Sequence, residues 1–168
     1  GQDFLVEEIN GVQLKYGLLS FFQVNVPLFK HALQDIEAVL PPETKLVDYY
    51  SGVGAIGLAL ANKTSSCILV DSNEEGIRYA KENITMNNLP HCDAQCTMAE
   101  RMTDLITSDK TIILDPPRAG LHEAMIKKIL DVQPKKIIYL SCNLSTHARD
   151  IQLLSSAYNI SFLRLYNF

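Results

Sequence analysis

Residues Thr111-Ile112-Ile113-Leu114 are apolar or β-branched throughout, and the four that follow, Asp115-Pro116-Pro117-Arg118, cannot continue the same element. The first half reads as a strand buried on both faces, the kind found in parallel sheets. Neither proline has an N–H to donate, and Pro116 biases Asp115 towards extended backbone. An acid therefore stands at the carboxyl end of a buried strand, with a stiff turn behind it. In open α/β sheets that edge is where ligands sit. Taken alone, the stretch fits equally well a strand closed by a proline turn that happens to hold an acid.

The pattern around it is repetitive. Strands are expected over Lys45–Tyr50, Cys67–Val70, His91–Thr97, Thr111–Leu114, Lys136–Leu140 and Ile160–Leu165. Helices are expected between them: a glycine-rich turn leads into one through Ala61, and others run Asn73–Asn87, His122–Asp131 and Ser145–Ala157. Alternation of this kind specifies an α/β fold with a doubly wound, mostly parallel sheet and helices on both faces. Ahead of it, Asn10-Gly11 between Glu7-Glu8-Ile9 and Val12-Gln13-Leu14 is a strong hairpin signal. Two or three short strands are expected there, ending in Phe21-Phe22-Gln23-Val24-Asn25. Pro27 then suits the first turn of a helix capped by Asn25, with Leu28, Ala32, Leu33, Ile36, Val39 and Leu40 at helical spacing and Pro41-Pro42 closing it.

The 168 residues suit one domain. No apolar run is long enough to span a bilayer, and nothing at the start resembles a signal peptide. The chain opens at Gly1 without a methionine, as an excised or tagged piece would. Cys67, Cys92, Cys96 and Cys142 show no disulfide or zinc pattern, so a reduced, cytoplasmic setting is the simpler reading. His31, His91, His122 and His147 share no spacing that suggests a metal site. A formal net charge of −4 argues against a non-specific nucleic-acid binder. It leaves room for an enzyme that handles nucleic acid through a separate module.

Three further strand ends carry chemistry. The first βα turn runs Asp48-Tyr49-Tyr50-Ser51-Gly52-Val53-Gly54. Its glycines allow a tight turn and close approach to a ligand. It lacks the lysine of a phosphate-cradling loop, and its acid suits a ligand with a cationic part rather than a pyrophosphate. The second strand ends in Asp71-Ser72-Asn73, where an acid roughly twenty residues after the glycines is placed to accept from ribose hydroxyls. The same residues would also serve as a helix cap, and both roles hold if Asn73 caps and Asp71 meets the sugar. The fifth strand runs into Ser141-Cys142-Asn143, just ahead of a helix that Asn143 or Ser145 could cap. A lone cysteine is ordinarily a small buried hydrophobe. A cysteine at a helix N-terminus on the ligand edge has positive partial charge to favour its thiolate, which is the nucleophilic form. Cys67, Cys92 and Cys96 lack that combination and read as structural.

Five segments, in order, resemble the motifs of the S-adenosylmethionine-dependent RNA uracil-5-methyltransferases, the family that makes 5-methyluridine in tRNA and 23S rRNA. They are Phe21-Phe22-Gln23-Val24-Asn25, Asp48 through Gly54, Asp71-Ser72-Asn73, Leu114 through Gly120, and Ser141-Cys142-Asn143 with Thr146 and Ala148-Arg149-Asp150. They cover most of the chain from about Glu7 onward. The glycine turn alone would fit any methyltransferase, whereas the pairing of the first and last segments is specific to this family. The resemblance implies a Rossmann-like class I methyltransferase fold, with residues 1–25 as a strand or hairpin extension leading into a methyltransferase domain over 26–168. It implies S-adenosylmethionine as cofactor, bound by Gln23, Tyr50, Gly52, Asp71 and Asp115, and no metal. Cys142 would be the nucleophile that adds to uracil C6. Pro116 and Pro117 would stiffen the wall of the base pocket, and Arg118 would contact phosphate or a neighbouring acid. RNA would be the partner through the full-length protein, with no membrane and no obligate protein partner.

The sequence departs from that pattern in places. Leu144 stands where proline is common, Ser51 replaces a common cysteine, and Met98 takes the place of an acidic or amide residue. The family's general base is a glutamate shortly beyond a phenylalanine-proline segment. Asn167-Phe168 looks like the approach to that segment, and the chain stops there. The expectation is a C-terminally truncated domain that binds cofactor without multiple turnover. Two other readings compete: a methyltransferase acting on a base amino group, which needs no cysteine, and a non-catalytic cofactor- or RNA-binding fragment.

Overall fold

A computed structural model describes residues 3–167 apart from Leu19, Phe21, Gln23 and Val24. Five strands form one parallel sheet: β3 (Thr44–Tyr49), β4 (Thr64–Asp71), β5 (Cys92–Cys96), β6 (Thr111–Leu114) and β7 (Lys136–Tyr139). Their order is β5-β4-β3-β6-β7. The chain leaves β3 for β4 and β5 on one side, then returns to lay β6 and β7 on the other. A crevice opens where the winding reverses, at the carboxyl ends of β3 and β6.

Neighbouring residues on the central strands face opposite sides of the sheet, as the two-residue period requires. Leu46, Leu69 and Ile113 pack with Phe29 and Leu33 of α1 (Val26–Val39) and Ile77 of α2 (Glu74–Met86). Val47, Val70 and Ile112 pack with Met125, Ile126 and Ile129 of α3 (Glu123–Val132) and Leu154 of α4 (Leu144–Leu154). Ile112, Ile113 and Leu114 are fully buried. Each contributes about 1.5–3 kcal/mol through its side chain, which is why so short a run holds as a strand.

Ahead of the sheet, β1 (Phe4–Ile9) and β2 (Val12–Gly17) form an antiparallel hairpin. Asn10 and Gly11 both take positive φ, 52° and 78°, as the expected two-residue turn demands. The outer edge of β2 is satisfied by side chains of α2 and its C-cap. Asn87 exchanges two bonds with the backbone of Gln13 (2.8 and 2.7 Å), and Asn83 does the same with Lys15 (2.8 and 3.0 Å). The hairpin is thereby fixed against α2. Asn25 caps α1 as expected, accepting from the Leu28 N–H at 3.2 Å, with Pro27 in the first turn.

Two expected elements differ. The segment after the glycine turn is not an α-helix but a turn continuing into a 3-10 helix, Leu58–Lys63, followed at once by β4. The strand expected over Ile160–Leu165 does not form. Residues 159–167 carry no regular structure, and Leu163 and Leu165 are exposed. Apolar alternation there finds no ladder partner on β7; instead Arg164 and Tyr166 reach Asp35 on α1. The further strand expected to end in Phe21–Asn25 falls largely outside the described residues, and Phe22 and Asn25 themselves lie in no strand. Among the described residues no helix is long and apolar enough to cross a membrane.

Candidate active site at the carboxyl edge of the sheet

The turn after β3 is built to bring backbone close to a ligand. Tyr50, Gly52 and Gly54 all take positive φ, and the Tyr50 N–H donates to the Val70 carbonyl at 2.8 Å. The Gly52 N–H donates to Asp71 Oδ2 at 2.8 Å, and the Asn73 N–H to Asp71 Oδ1 at 2.8 Å. Asn73, not Asp71, caps α2, accepting from the Gly76 N–H at 2.7 Å. Asn73 therefore takes the capping role, and Asp71, which lines the cleft, ties the glycine turn to the start of α2. Gly76 has no detectable signal of its own in the sequence. A Cβ there would sit 3.2 Å from the Gly52 backbone, so the start of α2 presses directly on the turn.

Tyr50, Gly52, Asp71 and Asp115 together line one cleft of about 210 Å³, with Ser51, Ile56 and Phe22 among its other walls. Phe22, which was not singled out, comes from the segment after the hairpin. Its ring stacks on Tyr16 with centroids 4.1 Å apart. Gln23 lies outside the described residues. Asp115 is largely buried in the cleft, and desolvation pushes its carboxyl up to about 6. Burial pushes the Tyr50 hydroxyl up to about 12, so it remains a neutral donor at physiological pH. The Ser51 hydroxyl is buried without a partner among the described residues. The cleft thus offers two carboxyl groups, close backbone at Gly52 and an aromatic wall, a set suited to a ligand with a cationic end, a diol and a flat apolar part.

Asp48 does not take the place its position suggested. It is fully buried beneath the turn, accepts from the Gly57 N–H at 2.9 Å, and leaves Oδ1 unpartnered. Desolvation, with smaller repulsion from Asp115 and Asp71, pushes its carboxyl up to about 8. It braces the turn as a neutral acid, and Asp115 is the acid of this pair that lines the cleft. A folded-state value above the ordinary one stabilises the fold below about pH 4, and that contribution is lost as the pH rises through about 8. Asp48→Asn should therefore be more stable than the parent at pH 8 by about 1–3 kcal/mol, with the gap closing towards pH 4. Denaturant midpoints across that range measure it; a gap that does not change with pH would contradict the assignment.

Cys142 lies on the same edge, beside this cleft rather than in its lining, and is exposed. The Leu140 N–H donates to the Leu114 carbonyl at 2.8 Å, so β7 stays paired to β6 up to the Cys142 turn. Ser141 Oγ closes that turn on Asn143, and Asn143 caps α4, accepting from the Ser145 N–H at 3.0 Å. Cys142 therefore immediately precedes the N-cap of a helix, as its spacing indicated. Cys67 and Cys92 are buried, but Cys96 is exposed at the end of β5, so a core role does not hold for it. Among the described residues no group of three or more His, Cys, Asp or Glu could hold a metal ion.

The family model described as tRNA (Uracil-5-)-methyltransferase matches residues 1–168. The tRNA (uracil(54)-C(5))-methyltransferase of Pyrococcus furiosus is 38% identical over 157 residues, covering 93% of this chain and 37% of that protein. An RNA methyltransferase of Lactobacillus johnsonii is 31% identical over 98% of this chain and 37% of its own length. The chain spans little more than a third of either relative. Among solved structures, that of the Pyrococcus abyssi tRNA (uracil-54, C5)-methyltransferase in complex with S-adenosyl-L-homocysteine superposes with a TM-score of 0.82. It is 33% identical, with 91% of this chain and 38% of that one covered. The five-stranded parallel sheet, its strand-edge cleft and these likenesses are those of an S-adenosylmethionine-dependent methyltransferase, and the chain belongs to the tRNA (uracil-5-)-methyltransferase family.

Proposed function

We propose that this chain is the catalytic domain of an enzyme that methylates uracil C5 in RNA, with residues 1–25 as an extension leading into the methyltransferase domain over 26–168. The observation that carries the reading is the placement of two features on one sheet edge: the cleft holding Tyr50, Gly52, Asp71 and Asp115, and the Cys142 turn at the head of α4. The donor set of the cleft fits S-adenosylmethionine. Asp71 would take the ribose hydroxyls, Asp115 the cationic end, and the Gly52 backbone would lie against the ligand. Gln23, by its motif, would bind the same cofactor.

Bound S-adenosylmethionine supplies a methyl group on a cationic sulfur. The remaining work falls to the protein, because C5 of uracil is a poor nucleophile. Cys142 Sγ adds to C6, and the electron pair of the C5–C6 bond moves towards O4. C5 becomes an enolate carbon able to take a methyl group. A base then removes the C5 proton, the C5–C6 double bond re-forms and the Sγ–C6 bond breaks. Covalent catalysis so divides one difficult step into easier ones. By the family resemblance that base would be a glutamate. The target base has to leave its stack to reach Cys142. The substrate would be a tRNA, as in the two Pyrococcus relatives, or a ribosomal RNA, met in the cytoplasm through the full-length protein.

Titration of the protein with S-adenosyl-L-homocysteine in a calorimeter tests the cofactor half of this reading. The expected result is one site of micromolar affinity. A folded protein that takes up neither this ligand nor S-adenosylmethionine would overturn it.

A further inference from the structure

The turn that follows Asp115 and the helix that follows Cys142 are sewn together by side chains with no part in the chemistry above. Asn143 Nδ2 donates to the Arg118 carbonyl at 3.1 Å, and Thr146 Oγ1 donates to the same carbonyl at 3.0 Å. Arg149 donates to the Ala119 carbonyl at 3.0 Å. At the centre lies Asp150, with no exposed surface. Its Oδ2 accepts from the Leu121 N–H at 2.8 Å and from the Tyr139 hydroxyl at 2.7 Å. Its Oδ1 accepts from Arg149 Nε at 2.9 Å and Nη2 at 2.7 Å. The fit is close: a Cβ on Gly120, whose φ is 81°, would lie 2.5 Å from Arg149 Nη2 and 2.6 Å from Asp150 Oδ2.

Asp150 thus touches three pieces at once. They are β7 through Tyr139, the Pro-Pro-Arg turn through Leu121, and α4, on which it sits. β7 leads into Cys142, and the turn leads out of Asp115. Burying a carboxylate beside a half-exposed arginine is a poor device for stability alone, since its desolvation offsets much of the Coulombic gain. Its use is to fix geometry.

We propose that Asp150 is a positioning residue for methyl transfer, holding the Cys142 turn in place relative to the Asp115 end of β6. The proposal rests on the reading of Cys142 as nucleophile. Its test uses the full-length protein, wild type against Asp150→Asn and Tyr139→Phe. The readouts are kcat, the rate of covalent adduct formation with RNA containing 5-fluorouridine, and S-adenosylmethionine affinity. A misplacement near 1 Å costs about 10²-fold. Asp150→Asn should accordingly lower kcat and the adduct rate about 100-fold, while cofactor affinity stays within about threefold of wild type. Tyr139→Phe, which removes one of the contacts, should lower both rates by a smaller factor. A folded Asp150→Asn protein with the wild-type adduct rate would overturn the proposal. If Asp150→Asn does not fold, an unchanged rate in Tyr139→Phe would overturn it. A wild-type protein that forms no adduct would overturn the Cys142 reading, and this proposal with it.

Discussion

Replacing Cys142 with alanine should leave a full-length protein that binds S-adenosylmethionine normally and transfers methyl groups to RNA at less than about a thousandth of the wild-type rate. Cys142 is exposed and stands outside the cleft lining, so its loss disturbs neither the core nor the cofactor walls. Its Sγ is the group proposed to raise electron density at uracil C5. Without it that carbon has no route to an enolate. Serine should do little better than alanine, because an alcohol at neutral pH is scarcely ionised. Single-turnover assays with radiolabelled cofactor measure the loss. Retention of even a tenth of the wild-type rate would show that the cysteine is not the nucleophile.

The second large effect is at Asp115. Its carboxyl stands in a largely buried cleft that favours the neutral form, with an ordinary value raised to about 6. A cationic ligand reverses that preference, since an opposite charge close by favours the ionised acid. The free protein must therefore lose a proton to bind below about pH 6 and need not do so above it. Affinity for S-adenosylmethionine should be flat from pH 7 to 8. It should fall below pH 6 by up to about tenfold per pH unit, the limit for one linked proton. Asp115→Asn keeps the shape and removes the charge. Truncating one side of a buried charged pair costs about 2–5 kcal/mol, so affinity at pH 7.5 should drop roughly 100-fold and its dependence on acid should vanish. Calorimetry from pH 5 to 8 on both proteins checks this. A wild-type profile that is flat through pH 6 would mean that Asp115 does not face the cation.

The sequence exposed the parts of this account that are set locally. The Thr111–Leu114 run, the prolines behind Asp115 and the paired asparagine-glycine of the hairpin each fix backbone through their own chemistry, and each is found as expected. The order of motifs likewise brought Tyr50, Gly52, Asp71 and Asp115 to one cleft. What was not legible depends on packing between distant segments. Asp48 looked like a ligand contact because it stands next to the glycines, but it is fully buried and held by the Gly57 N–H. The tail over Ile160–Leu165 has the alternation of a strand and no ladder to join. Asp150 shows in the sequence only as part of the last motif segment, with nothing to say what it touches. Its four hydrogen bonds, from Leu121, Tyr139 and two nitrogens of Arg149, exist only once β7, the Pro-Pro-Arg turn and α4 have met. Phe22 was visible only as part of a motif, and its place in the cleft wall comes from its stack on Tyr16 across the hairpin.

The claim that organises the site is that Cys142 bonds to C6 of the target uracil. It is tested most directly by incubating the full-length protein with S-adenosylmethionine and substrate RNA in which the target uridine is replaced by 5-fluorouridine. After thiolate addition and methyl transfer, C5 carries fluorine where a proton would be removed. Elimination then stalls, and the protein stays bound to the RNA. Digestion and mass spectrometry should find a methylated fluorouridine on the peptide containing Cys142, and none with Cys142→Ala. Methyl transfer without any adduct, or an adduct on Cys96 instead, would contradict the account.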